Sequence, residues 1–172
     1  SGNQYLSAET ASELTFPGMS EYAYFAVFEI TTLGETQRLF AKFNSGVRGE
    51  YIAIINSDGT IRTHRESPPW NIMSTGTIST NQKNIYTTTF EAISNSTGQL
   101  TQYLNGQEDG SANYGAVSGD SQNQFMLGAS LSSNSPNAHL YGKLCEVIIL
   151  KAYPSESERI QINQYLSHKW GV

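Results

Sequence analysis

The sequence predicts an all-β sandwich with one helix at its C-terminus, and three observations carry that prediction. The 172 residues are only 15% charged. That is well below the roughly 25% usual for globular chains, and Ser, Thr, Asn, Gln and Gly fill the gap. Short runs rich in Tyr, Phe, Val, Ile and Thr are punctuated by Gly-, Asn- and Ser-containing turn signals along most of the chain. A single stretch with helical spacing closes the chain, and no helices alternate with the strands. No repeat, linker or charge block divides it, so one domain over 1–172 is expected, with a core that needs no metal or disulfide staple.

The elements follow in order. Asn3–Leu6 and Glu13–Phe16 are short and amphipathic. Tyr22–Thr32 places Tyr22, Tyr24, Ala26, Phe28 and Ile30 on one face and Phe25 and Val27 on the other. Both faces are apolar at its centre, which predicts an inner strand. Arg38–Phe43 alternates, with Leu39, Ala41 and Phe43 sharing a face. Tyr51–Ile55 and Thr60–Arg65 flank Asn56-Ser57-Asp58-Gly59, a hairpin signal. Glu66–Thr77, which contains Pro68, Pro69 and Trp70, reads as the longest irregular segment. Asn84–Ile93 and Gln99–Leu104 form a second hairpin, and Asn105-Gly106 makes another tight turn. Gln124–Ala129 and Leu140–Tyr153 complete a set of about ten strands.

The helix begins at a capping box. Ser155 is placed to accept from the backbone N–H of Glu158, whose side chain reaches back. Ile162, Tyr165, Leu166 and Trp170 follow at helical spacing, and Gly171 ends the element. Such a terminal helix is expected to pack on the edge of the domain.

Charge and apolar pattern exclude several classes. The net charge is −5 with no run of Lys or Arg, so a nucleic-acid groove has no electrostatic footing. The longest apolar run, Cys145–Leu150, is far too short to span a bilayer, so no membrane insertion is expected. The N-terminal stretch has no charged segment followed by an apolar one, as a signal peptide would. Cys145, the single cysteine, sits in an apolar run and reads as a small buried hydrophobe.

The last third carries motifs of a known family. Tyr103-Leu104-Asn105-Gly106 resembles the Y-V-N-G hairpin of concanavalin A-like, laminin-G-type domains, and Phe125-Met126-Leu127-Gly128-Ala129 resembles the strand that follows it. Leu140 to Ile149 resembles the F-x-G-x-I-x-E-V-x-I strand. Pro154 to Arg159, then Tyr165-Leu166-Ser167-His168-Lys169-Trp170-Gly171, resembles the ending of many bacterial and phage members. The resemblance implies a two-sheet antiparallel jelly roll with one concave sheet. Its glycines have structural reasons: Gly106 for a turn, Gly128 and Gly142 for a bend or close backbone approach. They carry no ligand information.

Relatives of this kind include glycoside hydrolases and lyases. Hydrolysis needs two carboxylates facing one another across a cleft, which a strand provides by acids at i, i+2 and i+4. Glu29, Glu91 and Glu146 each stand alone in their strands, and Glu108 and Asp109 are adjacent, so they point to opposite sides. His64 with Arg65 is the one grouping to inspect for lyase chemistry. No catalytic residue is assigned, and a non-enzymatic protein is expected.

Sugar binding needs exposed aromatic faces and planar hydrogen-bonding groups. Trp70 is the candidate platform, with Tyr114 a weaker one, and Asn71, Arg48 and His64 are candidate polar contacts. The plainer reading of Trp70, and the one placed first, is an anchor of its loop on the sheet. If calcium binds, Asp109 in the acidic loop 107–110 and Asp120 in the loop 119–123 are the candidate oxygen ligands. The expected function is a non-catalytic module that recognises a glycan or surface polysaccharide, extracellular, at a cell surface or on a virion. The rival is a structural virion domain, a capsid decoration or tail-fibre tile working through protein–protein contacts.

Overall fold

The computed structural model describes residues 4–8, 12–44, 47–65, 71–115 and 123–172. Among them lie thirteen strands and one α-helix. They are β1 (Leu6–Ala8), β2 (Tyr22–Ile30), β3 (Gln37–Asn44), β4 (Val47–Ile55), β5 (Thr60–Arg65), β6 (Asn71–Thr77), β7 (Lys83–Ala92), β8 (Thr97–Leu104), β9 (Gln107–Gly115), β10 (Phe125–Leu127), β11 (Ser130–Ser132), β12 (Ser135–Asn137), β13 (Gly142–Leu150) and α1 (Glu156–Trp170). A 3-10 turn covers Ser12–Leu14.

The strands form two sheets. The larger runs β1-β10-β3-β4-β5-β6 and carries the β11–β12 hairpin beside β3; the smaller runs β13-β2-β7-β8-β9. Pairing is antiparallel throughout, apart from one parallel bridge between Leu131 and Asn44. This is the two-sheet antiparallel jelly roll with one C-terminal helix that the sequence predicts. Rings from both sheets fill the space between them, with Tyr24 stacked on Phe40 at 4.8 Å between centroids. β2 is the inner strand its sequence predicts. Tyr22, Tyr24, Phe28 and Ile30 enter this core, while Ala23, Phe25 and Val27 face the other way.

Asn105 and Gly106 both take positive φ, 51° and 83°. That is the geometry a two-residue hairpin requires, and Asn-Gly supplies it at low cost. The turn launches β9, where the sequence suggested an acidic loop followed by an irregular stretch. Three further expectations need correction. Glu13–Phe16 is not a strand: the 3-10 turn ends at Leu14, and Phe16 drops into the core at 1% exposure. The segment expected to be irregular through Thr77 becomes β6 from Asn71 onward. The even alternation expected of Arg38–Phe43 is broken by a bulge between Arg38 and Phe40. Leu39 and Phe40 consequently share the core, and Ala41 and Phe43 face outward.

The helix lies on the outer face of the smaller sheet, not on an edge. Leu166, Ile162 and Trp170 cover Ala23, Phe25, Val27 and Ile85. The capping box forms as expected, and Gly171 closes the helix in the left-handed conformation. Cys145 packs into this layer, and burial pushes its thiol above its ordinary value. The Trp170 indole N–H donates to Glu146 Oε2 at 2.6 Å, and Lys169 Nζ stands 3.0 Å from the same oxygen.

These contacts, the indole first, hold the Glu146 carboxyl below its usual value. A depressed carboxylate contributes stability above its unfolded value and loses it as pH falls through the folded one. Helix docking is therefore expected to loosen in acid below about pH 4.5, the ordinary carboxylate value. Trp170 fluorescence in a Trp70→Phe background reads this directly. Glu146→Gln should flatten the acid dependence, and an unchanged titration would remove Glu146 from the helix anchor.

Candidate functional site

α1 occupies one outer face of the sandwich, which leaves the outer face of the larger sheet. Strand pairing lays its residues out in rows. In one row Arg38 on β3 stands opposite Ile54 on β4, which stands opposite Arg62 on β5. In the next row Ala41 faces Ile52, Ile52 faces His64, and His64 faces Asn71 on β6. Ala41, Ile52 and Ile54 form a sealed apolar floor at 0%, 2% and 5% exposure. The long stems of half-buried arginines can cover such a floor while their heads stay polar. Phe43 meets the His64 ring edge to face at 5.9 Å between centroids.

The face is basic. The Nε atoms of Arg38 and Arg62 are buried without a hydrogen-bond partner. Among the described residues, Arg38 Nη1 donates to the neighbouring Gln37 carbonyl, at 3.2 Å. Burial first, and then the positive charge of Arg62, pull the Arg38 guanidinium down to about 10. Both effects disfavour the charged form, as expected for like charges gathered where water is scarce.

The structure brings His64 and Asn71 together as direct cross-strand neighbours, two candidates the sequence supplied. Arg48 lies on β4 of the same sheet, and its side chain, like that of Asn71, is outside what is described. Trp70 and Asp120 fall outside the described residues. Tyr114, read as a weaker sugar platform, lies in the core at 1% exposure, so its ring offers no face to a ligand. Burial pushes its hydroxyl far above the ordinary value.

Asp109, read as a candidate calcium ligand in a loop, is a buried residue of β9. Its Oδ1 accepts from the Thr75 N–H at 2.9 Å, the Thr75 hydroxyl at 3.0 Å and the Gly76 N–H at 2.7 Å. That oxygen is engaged in joining β6 to β9. The His64–Arg65 grouping also separates. Adjacent strand residues point to opposite faces, and Arg65 is fully buried against Phe90, 4.0 Å from the ring centroid, donating to the Gly18 carbonyl at 2.9 Å.

Arg38 and Arg62 were not singled out from sequence. Arg62 had a usable signal, since it lies two residues before His64 and must share its face. Arg38 had none, because the bulge beside it resets the alternation. Among the described residues no three His, Cys, Asp or Glu side chains gather as a metal site would require. The strand acids serve elsewhere: Glu29 stands 3.8 Å from Lys143, and Glu146 anchors the helix.

Comparison with known proteins supports the same architecture. A laminin-G-type family model, described as the concanavalin A-like lectin/glucanases superfamily, matches residues 1–158. A search of curated proteins finds no match. A Bacteroides ovatus protein provisionally assigned as carbohydrate binding superposes with a TM-score of 0.70 at 17% identity, over 91% of this chain and 44% of that one. The CBM40 of Ruminococcus gnavus IT-sialidase, bound to α2,3-sialyllactose, superposes at 0.67 and 10% identity, over 95% and 100%. The binding domain of Paraclostridial Mosquitocidal Protein 1 gives 0.71 and 16%, over 96% and 42%. The chain thus spans less than half the length of the Bacteroides and paraclostridial chains. At these identities the likeness to solved structures is one of fold. The family match over 1–158, on two antiparallel sheets with a terminal helix, establishes that the chain belongs to the concanavalin A-like lectin/glucanases superfamily.

Proposed function

We propose that this domain binds carbohydrate on the outer face of its larger sheet, displayed outside a cell or on a surface, with no covalent chemistry. The observation that carries this reading is the His64 ring against Phe43, above a sealed apolar floor on the sandwich face that α1 does not occupy. Imidazole is a planar hydrogen-bonding group of the kind that sugar hydroxyls take up. Trp70 directly precedes Asn71 in the sequence. A module of the same fold, the Ruminococcus gnavus CBM40, is a carbohydrate-binding module bound to α2,3-sialyllactose.

A glycan array probed with the intact chain, with calcium and with chelator, tests the reading. Saturable binding to one glycan class is expected, weakened at least tenfold by Trp70→Ala and by His64→Ala. Loss on chelation would add calcium to the site, with Asp120 the acid to replace first. Absence of binding in both conditions would remove the carbohydrate reading.

One observation favours protein–protein contact as a second reading. β13 is an edge strand of the smaller sheet, and its apolar run Val147–Leu150 is only half-buried. An unpaired, apolar edge is a template for strand addition. Light scattering separates the readings: a monomer fits a free lectin-like module, and a symmetric oligomer fits a tile.

A further inference from the structure

Resting on the carbohydrate reading of this face, we infer that the ligand is an anionic sugar whose carboxylate or sulfate group is held between Arg38 and Arg62. Strand pairing places the two arginines on either side of Ile54, two strand spacings apart, roughly 10 Å between their backbones. Side chains of this length reach across such a gap to one anion.

Several other described cations of the fold are engaged. Lys143 and Lys169 pair with Glu29 and Glu146. Lys83 donates to the Trp170 carbonyl, and Arg65 to the Gly18 carbonyl. Arg159 lies over the Tyr103 ring at 4.0 Å. Arg38 and Arg62 have no ion pair and no ring beneath them among the described residues, and each keeps a buried, unpartnered Nε. A chain of net charge −5 therefore sets two of its few cations on either side of Ile54, half-buried, with no acidic partner among the described residues. Uncompensated charge away from water is costly, and an anion seated between the pair offsets both the lost hydration and the mutual repulsion. The planar guanidinium fork matches carboxylate and sulfate oxygens in a bidentate way that an ammonium does not.

The rows also set the scale. His64 and Asn71 stand one row from the arginines, about 7 Å along the strands, roughly the width of one sugar ring. An acidic ring anchored at Arg38 and Arg62 would thus present its hydroxyls to His64.

The test is titration calorimetry of the full chain with matched pairs: α2,3-sialyllactose against lactose, a uronic-acid disaccharide against its neutral counterpart, and a sulfated disaccharide against the unsulfated one. The charged member should bind at least tenfold tighter, with affinity falling as salt rises. The carboxylate and sulfate arms show which anion the pair takes. Arg38→Gln and Arg62→Gln should each erase that preference while leaving weak binding of the neutral member. Removing one of two repelling charges should leave the thermal midpoint unchanged or raise it, which separates loss of the site from loss of the fold. Equal binding of charged and neutral members would overturn the anion inference and leave the carbohydrate reading standing. A charged preference that survives both substitutions would overturn the assignment to these two arginines. No binding of any sugar would overturn both readings together.

Discussion

Gly142→Ala should destabilise the domain by about 3 kcal/mol or more, the upper range for forcing an extra methyl into a packed site. A Cβ at position 142 would run into the Glu29 carbonyl oxygen and lie 2.8 Å from Ile30 Cα. Both obstacles are backbone of β2, the strand that β13 pairs with, and Gly142 sits opposite Ile30 at the first pair of that ladder. No side chain can rotate away to relieve the clash. The ladder must open at this end, and β13 leads directly to α1, so helix docking should weaken as well. Urea unfolding measures the loss, and a red shift of Trp170 emission in a Trp70→Phe background reports the helix. A midpoint indistinguishable from the parent would mean that the two strands can separate locally at little cost.

Asp109→Ala should cost about 2 kcal/mol, because it removes the one buried, charged acceptor shared by three part-buried donors. One carboxylate oxygen takes the Thr75 N–H, the Thr75 hydroxyl and the Gly76 N–H. β6 is the last strand of the larger sheet's path and β9 the last of the smaller, so this oxygen ties the two sheets at one side of the sandwich. Gln102 continues the tie. Its amide donates to the Ile61 and Asp109 carbonyls at 3.4 and 3.3 Å and accepts from the Thr63 hydroxyl at 2.8 Å. Asp109→Asn keeps an oxygen acceptor but loses the charge assistance, so it should recover about half of the deficit. Chemical unfolding of the two variants distinguishes them. Equal losses would show that charge, and not the acceptor oxygen, holds the strands together.

The two substitutions also mark how far local sequence could be read. β2, the β4–β5 hairpin and the β7–β8 hairpin were legible because their β-branched and aromatic runs end at turn residues that dictate a reversal. β9 was not legible. Gln107–Gly115 is acidic, polar and glycine-containing, and it is a strand because β8 pairs with it along most of its length. The same pairing turns Asp109 from a candidate metal ligand into an internal fastener and buries Tyr114. β6 follows the same logic, since Asn71, Ser74 and Gly76 interrupt its run and it forms by pairing with β5.

The candidate site divides in the same way. His64 was visible as a polar residue alternating with inward neighbours. Arg38 was hidden, because the bulge after it shifts Phe40 into the core beside Leu39. The capping box at Ser155 and Glu158, the Asn105-Gly106 turn and the two-faced β2 were determined by the sequence alone, since each depends on contacts within a few residues or on a pattern both faces share. The position of α1 over the smaller sheet, the tie through Asp109, and the gathering of Arg38, Arg62, His64 and Asn71 on the remaining face were decided only by the tertiary structure. A single strand states which residues alternate. Which side is inside depends on what the neighbouring strands and the opposite sheet bury against it.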